Sequence, residues 1–209
     1  EGHQVKVLDG QFIDESQILK KSLNSDIVCM GGPAMAYPKI VSLAEKIKEQ
    51  RRDITIIVGG NHMTAVPALA IKSRFIDFGV IGEAEITMAE LINAIELGKP
   101  IKKIDGVVYK EEEKVLRTKP RQLLKDLDEL PMPARHLLPP LHLYKPNAQN
   151  YKILPSTSMI SSRGCTFNCS FCDHSLFGRT FRAHSPERVV EEMEILKEKY
   201  RINEVWFVD

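Results

Sequence analysis

The chain holds 209 residues, enough for one or two domains at roughly 100–200 residues each. At 43% hydrophobic and 27% charged it has a globular composition, and 29 Lys plus Arg against 28 Asp plus Glu leave a net charge of +1. That balance gives no pull toward nucleic acid or an anionic membrane, and the longest apolar runs, such as residues 54–58, are far too short to span a bilayer.

Residues 5–8 (Val-Lys-Val-Leu) are expected as a strand, 13–22 as a short helix and 26–30 as a second strand. Residues 37–50 place Ile40, Leu43, Ala44 and Ile47 at i, i+3, i+4 and i+7, one apolar face of a helix. Residues 54–58 are apolar apart from Thr55 and end in Gly59-Gly60, as for a strand buried on both faces. Cys29, inside the apolar run 27–30, reads as a small buried strand residue. A helix over 64–73, a strand over 76–81 and a helix over 86–97, stopped by Gly98, complete the series. This alternation predicts an α/β fold with a doubly wound, Rossmann-like (flavodoxin-like) parallel sheet. Its first strand and helix are expected upstream of residue 1, because the chain enters just before a strand.

After Gly98 the pattern changes. Residues 106–109 and 115–118, joined by Glu111-Glu112-Glu113, predict an antiparallel hairpin. Prolines at 120, 131, 133, 139, 140, 146 and 155 then forbid regular structure and mark a linker. Its leucines, 130, 137, 138, 141 and 143, predict that it packs along both domains. Residues 156–162 read as a strand. Ser185-Pro186-Glu187 is a helix start with an N-cap serine, a proline at the first position and an acid in the first turn. That helix is expected to run to about Tyr200 with Val189, Val190, Met193 and Leu196 inward, and residues 204–209 to form the next strand. The expected domains are therefore 1–118, a linker over 119–155, and 156–209. A start at Glu1 and a stop inside an apolar run read as a piece of a longer protein. No signal peptide is visible, so a cytoplasmic location is expected.

Three of the four cysteines fall within eight residues, as Cys165-x3-Cys169-x2-Cys172 directly after a predicted strand. Such clustering points to metal rather than to disulfides. Three thiolates on one loop can fill three corners of an iron–sulfur cubane and leave the fourth iron open to a ligand, whereas electron-transfer clusters usually have four cysteines. The rival is a Cys3His zinc site using His174 or His184. With it, the chain would be a non-catalytic flavodoxin-like binding module carrying a zinc knuckle. At the predicted strand ends, Gly31-Gly32-Pro33-Ala34, Gly59-Gly60-Asn61-His62 and Gly82-Glu83-Ala84-Glu85 mark either a ligand edge or tight turns. No G-x-G-x-x-G opens a helix, so a dinucleotide site has no support.

The stretch Ser161-Ser162-Arg163-Gly164-Cys165-Thr166-Phe167-Asn168-Cys169-Ser170-Phe171-Cys172 resembles the cluster loop of the radical S-adenosylmethionine (SAM) enzymes. Phe177-Gly178-Arg179, residues 185–193 and Glu204-Val205-Trp206-Phe207-Val208-Asp209 resemble the branch with an N-terminal cobalamin-binding domain. This resemblance implies that residues 156–209 are the first β-α-β unit of a partial TIM-like barrel. It implies a [4Fe–4S] cluster on Cys165, Cys169 and Cys172 whose open iron chelates SAM, reductive cleavage to a 5′-deoxyadenosyl radical, and an electron donor such as flavodoxin or ferredoxin. Phe171 would lie against the adenine and Asp209 would face the SAM. Cobalamin would rest on Gly31, Gly32, Gly59, Gly60, Asn61, Gly82 and Glu83. His62, weighed as a cobalt ligand, reads instead as a residue capping the next helix or lining a surface, and no Asp-x-His-x-x-Gly motif is present. The absence of a second cysteine set argues against the methylthiotransferase branch. The implied reaction is methyl transfer to an unactivated carbon of a small molecule, or a cyclisation or rearrangement. A radical SAM enzyme without cobalamin is the nearer alternative. One barrel unit against roughly 200 or more residues for a whole barrel predicts that this chain alone is inactive.

Overall fold

The computed structural model describes residues 2–112, 114–147, 149, 151–172 and 177–209; Glu113 and the candidate zinc ligand His174 lie outside them. Two compact units form, one from residues 2–14, 124–168 and 179–209, the other from 15–123 and 169–178.

The unit built on residues 15–123 alternates helix and strand: α1 (Glu15–Ser22), β1 (Ile27–Met30), α2 (Tyr37–Gln50), β2 (Thr55–Val58), α3 (Asn61–Ala65), α4 (Pro67–Ala70), β3 (Phe78–Val80) and α5 (Glu85–Glu96). A hairpin, β4 (Val107–Glu111) and β5 (Lys114–Arg117), follows. The sheet order is β1-β2-β3-β4-β5, parallel across the first three strands, with the hairpin added antiparallel at the β3 side. The run at 54–58 is apolar apart from Thr55 because β2 is buried on both faces: Ile56 and Val58 meet Ala44 and Ile47 of α2, while Ile57 meets Leu91 and Ala94 of α5. Side-chain alternation thus divides one strand between two cores.

Gly79 is required by packing rather than by its dihedral. A Cβ there would stand 2.5 Å from Met63 Sδ and 2.6 Å from Val108 Cγ1. Gly79→Ala should therefore cost about 1–3 kcal/mol through overpacking, read as a lower chemical-denaturation midpoint. An unchanged midpoint would contradict this seat for α3.

The helix expected over 64–73 is instead two short ones. Pro67 cannot donate an amide and drives Val66 to φ −134°, ψ 56°, so the chain breaks there and restarts with the proline in the first turn. Residues 5–8 form no strand, and Val5 and Val7 are exposed. A strand exists only through a ladder partner, and β propensity alone does not hold one. Cys29, expected buried, is exposed, and among the described strands β1 lies at the edge of the sheet. Burial around the sulfur still pushes its thiol pKa up.

In the other unit, β6 (Ser156–Met159) pairs in parallel with β9 (Glu204–Phe207), and α6 (Pro186–Glu198) connects them. The strand expected over 156–162 is interrupted at 160–161. It resumes as β7 (Ser162–Arg163), antiparallel to β8 (Arg182–Ala183). Ser185 caps α6, its Oγ accepting from the Arg188 amide at 3.1 Å. Leu196 and Val189 face the core with Met159, Leu141 and Ile202, but Val190 and Met193 are exposed. The inward position goes to Glu192, whose carboxylate meets the Arg135 guanidinium at 2.7 Å.

The proline-rich stretch forms 3-10 turns at Leu127–Glu129, Arg135–Leu137 and Leu141–Leu143. From residue 124 onward it belongs to this unit, held by Arg182 donating to the Leu124 carbonyl and Arg188 to that of Leu130. Residues 2–14 belong here too. Tyr144 stacks edge-on against Phe12 and donates to Asp9 at 2.7 Å, and burial first, then Asp9, push its phenol pKa up to about 12.

Candidate functional site

Two places in the fold carry chemistry. The first is the carboxyl edge of β1, β2 and β3, where ligands of open α/β sheets sit. Gly31-Gly32 follow β1 and Gly59-Gly60 follow β2, and the two ends touch through bare backbone. A Cβ on Gly60, which holds φ +93°, would stand 3.1 Å from the Gly32 carbonyl oxygen. Gly82, after β3, holds φ +77° with nothing within 4 Å of where a Cβ would point. The edge is therefore a floor without side chains, open above Gly82, that lets a broad flat ligand approach the backbone.

Asn61 is exposed and Glu83 half-buried on the same loops. Large apolar side chains fringe the segments leaving the strand ends: Met35 is 92% exposed, and Leu69, Val66 and Ile86 are exposed as well. Exposed apolar groups on segments that follow the strand ends are what an apolar ligand or partner could cover. His62 is committed elsewhere, stacked on the Tyr37 ring at 4.2 Å between centroids. Thr64 was not singled out from the sequence. It is buried, and its Oγ1 accepts from the Gly82 amide at 3.0 Å, across eighteen residues that no local pattern links.

The second place is the cysteine loop, which leaves β7 and returns at β8. The two-residue ladder and a bond from the His184 amide to the Ser161 carbonyl close its stem. Asp209 adds a clamp: its carboxylate accepts from the Ser161 and Ser162 amides at 2.6 and 2.8 Å and from Ser161 Oγ at 2.6 Å. Asp128 holds the other strand of the stem, accepting from the Ser185 amide at 3.2 Å and lying 2.9 Å from His184 Nδ1.

Burial alone would raise the Asp209 carboxyl pKa, but the hydrogen bonds from Ser161 and Ser162 outweigh it and hold the carboxyl below its usual range. Hydrogen bonds from Ser185, then His184, lower that of Asp128. Both depressed values mean that the stem gains stability above the unfolded carboxyl value and loses it as pH falls through the lower folded one. Carboxyl-carbon NMR titration should place both midpoints below the ordinary 3.8. A midpoint at or above that value would contradict the clamp.

Cys165, Cys169 and Cys172 are exposed and not disulfide-bonded. The Cys172 amide donates to the Cys169 carbonyl, and the Phe167 amide to Cys165 Sγ at 3.4 Å. Phe171 is 91% exposed, its ring faces open to a ligand. Among the described residues, no three His, Cys, Asp or Glu side chains already converge as a metal site. Three thiols within eight residues of sequence are a soft donor set suited to an iron–sulfur centre.

Residues 1–92 match the B12 binding domain family and residues 159–209 the radical SAM superfamily. The chain belongs to the radical SAM proteins that carry a B12-binding domain. An uncharacterized methyltransferase of Pyrococcus horikoshii is 38% identical over all of this chain, which covers 46% of that relative. An anaerobic magnesium-protoporphyrin IX monomethyl ester cyclase of a Synechocystis species is 27% identical over 92% of the chain and 39% of its own length. The structure of OxsB, a cobalamin-dependent SAM radical enzyme with aqua-cobalamin and SAM bound, superposes over 99% of the chain and 29% of its own, with a TM-score of 0.78 at 18% identity. The chain thus spans less than half the length of these relatives.

The two places in this B12-binding radical SAM protein coincide with the two matched segments. The glycine floor lies within residues 1–92, and the cysteine loop and Asp209 within 159–209. Among the described residues, no helix is long and apolar enough to cross a membrane.

Proposed function

We propose that this chain carries the cofactor-binding part of a cobalamin-dependent radical SAM methyltransferase. The observation that carries this is the pairing, in one chain, of a stem-fixed loop of three exposed cysteines with a side-chain-free glycine edge on a parallel sheet. Cys165, Cys169 and Cys172 would hold three irons of a [4Fe–4S] cluster. Gly31, Gly32, Gly59, Gly60, Asn61, Gly82 and Glu83 would receive cobalamin. When bound, the cluster and SAM supply radical chemistry and cobalamin a methyl carrier.

The chain's own residues orient these groups. Phe171 offers an open ring face to the adenine of SAM. Asp209 spends three of about four carboxylate acceptor positions on Ser161 and Ser162, which leaves one for the SAM amino group. The glycine backbone would let a corrin approach closely, and the exposed side chains of Met35, Val66 and Leu69 would be available to its apolar rim. Methyl transfer is favoured over cyclisation because the 38%-identical relative, matched along the whole chain, is an uncharacterized methyltransferase. The substrate would be a small molecule, the electron donor a flavodoxin or ferredoxin, and the location cytoplasmic.

Anaerobic reconstitution followed by iron, sulfide and zinc analysis, with a hydroxocobalamin titration, tests this assignment. About four irons and four sulfides per chain and a cobalamin spectral shift are expected. One zinc without sulfide would sink the cluster, and a cluster without a cobalamin shift would leave a radical SAM protein that does not use B12.

A further inference from the structure

We infer that Thr64 is a positioning residue of the sheet-edge site, fixing the third ligand loop against the other two; this rests on the cobalamin assignment above. The helix α3 begins immediately after Gly60, so its place is set by the second loop. It is seated on β3 by Met63, fully buried in the hollow left by the missing side chain of Gly79. The next residue, Thr64, is 8% exposed and directs Oγ1 at the Gly82 amide, 3.0 Å away.

Gly82 is the residue whose position most needs holding. Its φ of +77° lies where glycine is unconstrained by a side chain, and nothing lies within 4 Å of its open side. The first two loops need no such bond, because Gly60 and Gly32 already meet backbone to backbone. Thr64 therefore supplies by a side chain what the other pair obtains by contact. It touches no ligand itself and acts through the Gly82 backbone. Preorganising that loop removes an ordering cost from binding.

The test compares Thr64→Val, which keeps the shape and loses the acceptor, with Thr64→Ser, which keeps the acceptor. The 209-residue chain is titrated with hydroxocobalamin, and Gly82 amide exchange is measured on the chain before cobalamin is added. Thr64→Val is expected to weaken binding about five- to tenfold, the worth of about one net hydrogen bond, and to speed Gly82 exchange. Thr64→Ser should stay within about twofold of the parent in both, given the retained bond. An unchanged Kd in Thr64→Val, or equal losses in the two variants, would overturn the inference and reduce Thr64 to a packing residue. If the parent chain takes up no hydroxocobalamin, the cofactor assignment fails and exchange alone decides. Faster Gly82 exchange in Thr64→Val would then uphold the positioning role, and unchanged exchange would end it.

Discussion

Changing Cys165, Cys169 and Cys172 together to serine is expected to remove nearly all iron and sulfide from the anaerobically reconstituted chain, while Cys29→Ser keeps the full complement. The thiolate is the ligand, and a serine hydroxyl is too hard and too weakly acidic to replace it in an iron–sulfur cluster. The contrast with Cys29 matters because all four cysteines are exposed, so exposure alone cannot choose the ligands. Position chooses them: Cys29 stands on a strand among apolar neighbours with its thiol pKa raised, whereas the other three lie within eight residues of one another in the sequence. Each single serine variant should also lose most of the cluster, since two thiolates hold a cubane poorly. Full iron retention in the triple variant, or equal loss in Cys29→Ser, would mean that the ligand set is wrong.

The second large effect concerns the ion pair between Arg135 and Glu192. The two side chains are 14% and 9% exposed, and the Arg135 guanidinium also reaches the Ser158 carbonyl at 3.2 Å. One group therefore ties the proline-rich segment to both β6 and α6. Arg135→Met strands a buried carboxylate and should cost about 3–5 kcal/mol, whereas Arg135→Met combined with Glu192→Leu should recover most of that loss. The single tryptophan, Trp206 of β9, lines with Arg135 a groove of about 420 Å3 and gives a fluorescence signal specific to this unit. A denaturation midpoint that hardly moves in Arg135→Met would show that the pair is not the fastener.

Local chemistry made much of this fold legible. The bounds of α2 followed from its apolar spacing, and the start of α6 from Ser-Pro-Glu. The largely apolar run at 54–58 gave β2 and its two-faced burial, and the cysteine spacing gave the candidate loop.

What the sequence did not show depends on partners far along the chain. Glu192 replaces Val190 and Met193 on the inner face only because Arg135, 57 residues away, neutralises it. The clamp of Asp209 on Ser161 and Ser162 spans 48 and 47 residues, and the Thr64 bond to Gly82 spans 18. Residues 5–8 have strand composition, yet composition cannot supply a ladder partner. The exposure of Cys29 has a related cause, since an apolar run reads the same at an edge as in the middle of a sheet.

On the proposed function, the three cysteines hold a cluster with one iron open to SAM in a B12-binding chain. The most direct measurement is the electron paramagnetic resonance spectrum of the reconstituted, reduced chain before and after adding SAM. A [4Fe–4S] signal that shifts on SAM addition is the predicted result. A signal unchanged by saturating SAM, or no iron–sulfur signal at all, would contradict it.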